Sequence, residues 1–247
     1  MPAPFRLPAA WLALVAAPAF AAHPLQTEDT GTQGTGQVEI EDGLQRAVTA
    51  GASVATWQPQ VSVGLAETVD AIVQPSWVSM RAAGTPGECG EGDANLDAKW
   101  RFAEGGAWSL AVRAGLELPT AQRGLGLPRG HAGQHALLAL TWDAASTLLH
   151  LNLGVSHAPA DAGARATLGH ASAAVMGRLD ARTVLALDAG VDQDPVPGRR
   201  AWLASALGGV IITVRPGLDL DAGYRLVAHA GPGTRDWLAG VTWRFGL

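Results

Sequence analysis

Scarcity says more about this 247-residue chain than any motif does. A single cysteine, Cys89, rules out an internal disulfide and reads as an inert loop residue. Charged residues make up only 16% of the chain, low for a water-soluble domain, and there is one tyrosine. Basic residues are in deficit, 17 Lys and Arg against 22 Asp and Glu, so nucleic acid is not an expected partner. Beyond the N-terminus no apolar run reaches the roughly 18 residues that a membrane-spanning helix needs. The nearest, Ala201 to Val214, is short and lies between Arg200 and Arg215. Yet 48% of the residues are hydrophobic. Membrane-like composition without a spanning helix leaves strands, and in lipid only a closed barrel satisfies every backbone group.

Residues 1–21 read as a signal peptide: Arg6, then the apolar core Trp11 to Ala17, then the small-x-small site Ala19-Phe20-Ala21. Residues 22–36 are polar, rich in Gly and Thr, and without periodicity. They are expected to be a periplasmic arm or a plug in the lumen, with Glu28 and Asp29 as solvated acids. Residues 37–247 carry the barrel.

Their signature is alternation. In Leu96-Asp97-Ala98-Lys99-Trp100-Arg101-Phe102 every second residue is apolar and every residue between is charged. A strand puts successive side chains on opposite faces, so one face here meets lipid and the other lines a water-filled lumen. The pattern recurs from Val38 and Ile40 to Phe245 and gives about twelve strands: an all-β, closed antiparallel transmembrane barrel. Trp202 to Val214 is apolar on both parities, so its facing is left open. The connections alternate in length, short near residues 66–68, 104–106, 144–146, 180–181 and 215–217, longer near 81–92, 119–133, 157–165, 192–200 and 229–235. Short periplasmic turns and long external loops are the habit of outer-membrane barrels. Pro59 and Pro75, inside two of the strands, stand against the reading, because proline cannot donate to a ladder.

Parity assigns two sets of residues. Asp97, Lys99, Arg101, Arg113, Glu117, His135, His150, Asn152, His170, Arg178, Asp188, Asp219, Asp221, Arg225 and Arg244 are expected to face inward. They would either fill the lumen with ion pairs or act as a mixed-charge lining that sets selectivity. Trp57, Trp77, Trp202 and Trp237 are expected beside the long loops. Trp100, Phe102, Trp108, Trp142, Trp243 and Phe245 are expected beside the short turns or the C-terminus. Together they would form two aromatic girdles, rings in the interface and indole N–H groups wet. Inward glycines such as Gly64, Gly115, Gly154, Gly190 and Gly240 leave room inside. Twelve strands lie between barrels that fill themselves and those that enclose an open channel.

Other chemistry is thin. His131 and His135 have a ligand-like spacing, but no cysteine or carboxylate completes a metal site. Gly124-Leu125-Gly126 lacks the GK[ST] and helix of a phosphate loop. His150, Asn152 and Ser156 share one strand face, where alternate residues do not converge on one reacting atom. No catalytic residue, metal or cofactor is expected.

His23-Pro24-Leu25, Thr27 to Gly34, Lys99-Trp100-Arg101-Phe102, Pro119-Thr120, Leu149 to Gly154 and the closing Gly240-Val241-Thr242-Trp243-Arg244-Phe245 resemble the outer-membrane proteins grouped as the "MetA-pathway of phenol degradation" family, described as transporter-like. The resemblance covers nearly the whole chain after the signal peptide. It implies a Gram-negative outer-membrane barrel linked to uptake of aromatic or other small compounds, with outer-membrane lipid, a small-molecule solute and the insertion machinery as partners. The chain departs from the habit of such barrels by adding Gly246-Leu247 after the terminal aromatic. A passive channel is the expected function; a non-conducting structural or ligand-binding barrel is the alternative.

Overall fold

The structure, a computed structural model, describes residues 23–84, 86–121, 132–144, 146–159, 164–197, 202–228 and 233–247. Its regular elements are β1 (Gln37–Thr49), β2 (Ala52–Trp57), β3 (Gln60–Ala66), β4 (Val69–Gln74), β5 (Trp77–Ala82), β6 (Glu88–Glu91), β7 (Ala94–Gly105), β8 (Trp108–Leu118), β9 (Gly133–Ala144), β10 (Thr147–His157), β11 (Thr167–Arg178), β12 (Thr183–Gln193), β13 (Trp202–Arg215), β14 (Leu218–Ala228) and β15 (Thr234–Gly246). Sequential neighbours pair antiparallel from β7 to β15. β15 then returns to β1, in register from Gln37 opposite Gly246 to Val48 opposite Arg235, and closes the sheet.

The fifteen segments form a closed barrel of twelve strands. β2 and β3 lie against β1 in one unbroken register: Thr49 faces Ala52, Leu44 faces Trp57 and Glu41 faces Gln60. β5 and β4 continue a single register against β2 and β3. β6 and β7 together face β5 and β4, with a one-residue slip at Gly92-Asp93. The breaks fall where proline removes a donor. Trp57 opposite Trp77 and Val61 opposite Val73 place Pro59 directly across from Pro75. Neither has an N–H, so the ladder opens across both. Local bonds hold the opening: Gly92 N–H donates to the Ser76 carbonyl (3.0 Å), and the Ser76 hydroxyl donates to the Asp93 carbonyl (2.7 Å). The prolines crease these strands without ending them.

The crease is also a boundary between solvents. Below it outward side chains are apolar and inward ones polar. Beyond the outward pair Trp57 and Trp77 just above it the order reverses: Val54, Val78 and Met80 face inward and pack together with Ala52 and Ala82, while Arg46, Ser53, Ser79 and Arg81 face outward. A sheet in lipid keeps apolar groups outside; a sheet edge in water keeps them inside. Strands β1, β2 and β5 therefore continue past the bilayer as an extension with its own small apolar cluster. The first connection at this end is a two-residue turn, Ala50-Gly51, with Gly51 at φ +81. The alternation of short and long connections thus fails at its first external member, because a hairpin already standing in water needs no loop to leave the membrane.

At the opposite end the short turns are closed by backbone and side-chain bonds. The Asp180 carboxylate accepts from Arg182 N–H (2.7 Å) and Thr183 N–H (2.9 Å), and those donors hold its carboxyl below the usual range.

The outward parity has a direct test. Leu187 is 68% exposed in the middle of β12, between Ala186 and Asp188, which are both buried. Leu187→Arg should destabilise the vesicle-inserted barrel by about 2–4 kcal/mol. Denaturant unfolding measures this; an effect no larger than that of an ordinary surface substitution would contradict lipid contact on this face.

Candidate functional site

Residues 23–36 run around the inner wall of the barrel. The path starts at His23, whose Nδ1 bonds to the Asp221 carboxylate on β14. Bare glycines make room for it: a Cβ at Gly43 or Gly240 would meet the His23 ring, and one at Gly209 or Gly223 would crowd Pro24. Leu25 packs into a small apolar cluster with Ala174, Ala186, Leu207 and Leu238. The N–H groups of Gln26 and Thr27 both donate to Asp188 Oδ2 on β12, at 2.7 and 2.8 Å. Glu28 and Asn152 of β10 exchange two bonds: Glu28 N–H to Asn152 Oδ1 (2.6 Å) and Asn152 Nδ2 to the Glu28 carbonyl (2.9 Å).

The chain then passes β9 and β8, where Thr30 N–H donates to Thr141 Oγ1 (3.1 Å) and the Thr30 hydroxyl meets that of Ser109. Gln33 N–H reaches Asp70 on β4 (3.1 Å), and Gln33 Nε2 reaches Glu39 on β1 (2.7 Å). Gly36 N–H donates to the Gly64 carbonyl on β3 (3.0 Å) just before β1 begins. A Cβ at Gly64 would overlap the Gly34 carbonyl oxygen, so the arm lies on bare backbone there. Fourteen residues reach at most about 45–50 Å, and they run past β14, β12, β10, β9, β8 and β4 before joining β1.

The circuit is anchored by charge. Arg113, 1% exposed, donates from Nε to Asp97 Oδ2 (2.7 Å) and from a terminal nitrogen to Glu28 Oε2 (2.7 Å). Lys99 donates to Glu28 Oε1 (2.7 Å) and Asp29 Oδ1 (2.9 Å). Asp97 Oδ1 also meets His135 Nε2 (2.8 Å). A continuous chain of opposite charges thus runs from Asp97 through Arg113, Glu28 and Lys99 to Asp29, wall to arm, with His135 bonded at its wall end. Glu28 is buried between Lys99 and Arg113, and Asp29 is paired with Lys99 while its side chain stays 42% exposed, so both acids are ion-paired and only Asp29 also meets water. Breaking a buried pair by removing one partner is costly, since the other charge stays buried and uncompensated.

The remaining inward candidates bond mostly to the wall. Arg225 pairs with Asp236 (2.6 Å). Arg244 bridges Glu39 (2.5 Å) and Asp219 (2.6 Å), and Asp219 also accepts from the Thr213 hydroxyl (2.7 Å). His170 meets Asp192 (2.7 Å) and Ser172 (3.0 Å), and His150 meets Thr141 (2.9 Å). Arg101 reaches Glu104 (3.3 Å) and the Glu67 carbonyl (3.3 Å). Glu117 lies against Gly133. Arg178 stands at the last position of β11 on the inward parity, at the rim, with its side chain 43% exposed and the Asp143 carboxylate 3.9 Å away. Glu39, Glu41, Gln60, Asp70 and Asp236 are buried on the inner wall as well; they share the inward parity that selected the others, which was the signal available for them.

The tryptophans after residue 22 all lie on the outer wall, 43–62% exposed. Trp108 faces Trp142, and the tilted ring pairs Trp100–Phe102 and Trp243–Phe245 lie 5.6 and 4.6 Å apart between centroids near the short turns. Trp57 faces Trp77 just above the crease, five residues of strand away from the nearest turn and not beside a loop. The Trp57 indole N–H bonds outward-facing Asp42. Among the described residues no group of three His, Cys, Asp or Glu side chains is placed to hold a metal; His131 and Gly124 to Gly126 lie outside the described residues.

No protein-family model matches this chain, and no curated protein does. Solved structures do. The COG4313 outer membrane channel from Pseudomonas putida F1 superposes with a TM-score of 0.70 at 14% identity, over 88% of this chain and 98% of that one. The fold is that of an outer-membrane β-barrel. The NanC porin shares it at TM-score 0.61 and 9% identity, over 82% of this chain and 98% of its own. The CymD monoaromatic hydrocarbon channel shares it at 0.52 and 7% identity, over 87% and 89%. Identities this low speak for the barrel and leave the solute open.

Proposed function

We propose that this chain is an outer-membrane channel whose lumen is narrowed by its own N-terminal arm. The single observation that carries the reading is the circuit of residues 23–36, which bonds to polar side chains on β14, β12, β10, β9 and β4 in succession. A barrel built only as a membrane anchor has no use for an inward wall so closely matched to a strand of its own chain. The outward tryptophans act as two interfacial girdles, and the inward charges act as both arm anchor and pore lining. The resemblance to the phenol-degradation family and the fold shared with channels both support passage of small solutes, aromatic ones among them. The arm follows a signal peptide removed near Ala21 or Ala22.

Planar-bilayer recording of the refolded chain, with and without residues 23–34, tests this. The intact chain should open rarely, and the shortened one should hold a steady conductance. The density of wall-to-arm bonds also favours a second reading, a barrel kept shut that presents its external end to a ligand. Silence from both proteins would reject the channel and leave that second reading standing.

A further inference from the structure

Above the crease the outer wall carries cations that nothing in the barrel uses. Val48 on β1 faces Arg235 on β15 and Ser53 on β2, and Ser53 in turn faces Arg81 on β5. Arg235 and Arg81 therefore lie in one cross-strand row, about 14 Å apart at three strand spacings. Arg46 lies in the row below, directly opposite Trp237. All three are exposed on the outward parity, and among the described residues none has an ion-pair or hydrogen-bond partner. The nearest outward acids are otherwise placed: Asp42 accepts from the Trp57 indole, and Glu91 faces Trp77 on the far side of β5. Among the described strand residues no other Lys or Arg faces outward at this end.

We propose that Arg46, Arg81 and Arg235 form a docking surface for the phosphorylated glycolipid of the outer leaflet. The surface rests on the outer-membrane reading given above. Its position decides the ligand. The three guanidiniums stand at and just above Trp57, Trp77 and Trp237, where acyl chains end and headgroup phosphates begin. Guanidinium suits phosphate because its planar fork of donors matches two phosphate oxygens at once. A lipid whose acyl chains lie on Leu44, Trp57 and Trp77 would present its phosphates at this height. The inverted polarity of the extension supports the same view, because it gives these arginines a rigid sheet to stand on outside the bilayer.

The test uses the purified full chain in detergent, titrated with bisphosphorylated lipid A, with the same lipid stripped of its phosphates, and with inorganic phosphate. The readout is the thermal unfolding midpoint, followed by tryptophan fluorescence. Lipid A should raise the midpoint, and the other two should not. The triple variant Arg46→Gln, Arg81→Gln, Arg235→Gln should need at least tenfold more lipid A for the same shift, and the single variant Arg81→Gln should lie between. Arg182→Gln with Arg215→Gln, at the opposite rim, should behave as the unaltered chain. Equal shifts in the triple variant, or an equal response to dephosphorylated lipid or free phosphate, would overturn the surface. Should the triple variant fail to fold, an Arg81→Gln variant indistinguishable from the unaltered chain would overturn it as well. Insertion into vesicles is scored separately by the folded species' mobility, so failure to insert overturns the outer-membrane reading, and insertion without a phosphate-dependent shift overturns the docking surface alone.

Discussion

Replacing Glu28 by alanine is expected to turn a mostly silent barrel into a conducting one. Glu28 is 4% exposed, and its carboxylate is shared by Lys99 and Arg113 while its backbone is clamped by Asn152. With the arm seated, Glu28→Ala leaves two buried cations less compensated. With the arm released into water, the same change costs almost nothing, because the wall cations are then hydrated. The whole penalty therefore falls on the seated state. Breaking a buried pair costs about 3–5 kcal/mol, and the lower end applies here because Asp97 still serves Arg113 and Asp29 still serves Lys99. At 1.4 kcal/mol per decade, a penalty of about 3 kcal/mol shifts the seated-to-released ratio roughly a hundredfold. Single-channel open probability reads this shift directly. An open probability equal to that of the unaltered chain would mean that the arm does not close the lumen.

The channel opened in this way should pass cations in strong preference to anions. Among the described residues the inward wall carries Glu39, Glu41, Asp70, Asp97, Glu117, Asp188, Asp219, Asp221 and Asp236 against Lys99, Arg101, Arg113, Arg225 and Arg244. Rings of carboxylates favour cations, and in a narrow water-filled cylinder their field is poorly screened. For a tenfold KCl gradient across the bilayer, ideal cation selectivity gives a zero-current potential of about 60 mV. The chain lacking residues 23–34 should reach more than half of that limit, with the sign set by potassium. Neutralising Asp188 and Asp221 together, as Asn, should pull it back toward zero. A potential near zero, or of the chloride sign, would show that the wall acids are neutralised or turned away from the ion path.

The barrel was legible in the sequence because lipid imposes a rule on every second residue. Trp100, Leu187 and Trp243 are apolar where Lys99, Asp188 and Arg244 are charged, and nothing but the facing of the strand decides which is which. The apolar run in β13, where parity gave no answer, follows its neighbours: Trp202 faces out and Leu203 in. What parity does not contain is a change of solvent along a strand. Val54 and Met80 keep the alternation and only exchange which side is greasy, so the extension above Pro59 and Pro75 hides inside a pattern that looks continuous. The arm was the other blank. Residues 23–36 have no period, and their partners are scattered from Glu39 to Asp221, so only the folded wall brings Glu28 to Arg113 across 85 positions of sequence.

The most direct test of the central claim, that residues 23–36 occupy the lumen and set its conductance, is a reversible tether. The hydroxyls of Thr30 and Ser109 already touch. In a Cys89→Ser, Glu28→Ala chain, Thr30→Cys and Ser109→Cys place two thiols where those hydroxyls meet, within reach of a disulfide. Bilayer recording of one inserted channel, first oxidised and then after adding reductant, should show a closed trace that opens on reduction. Equal conductance in the two states would contradict the account.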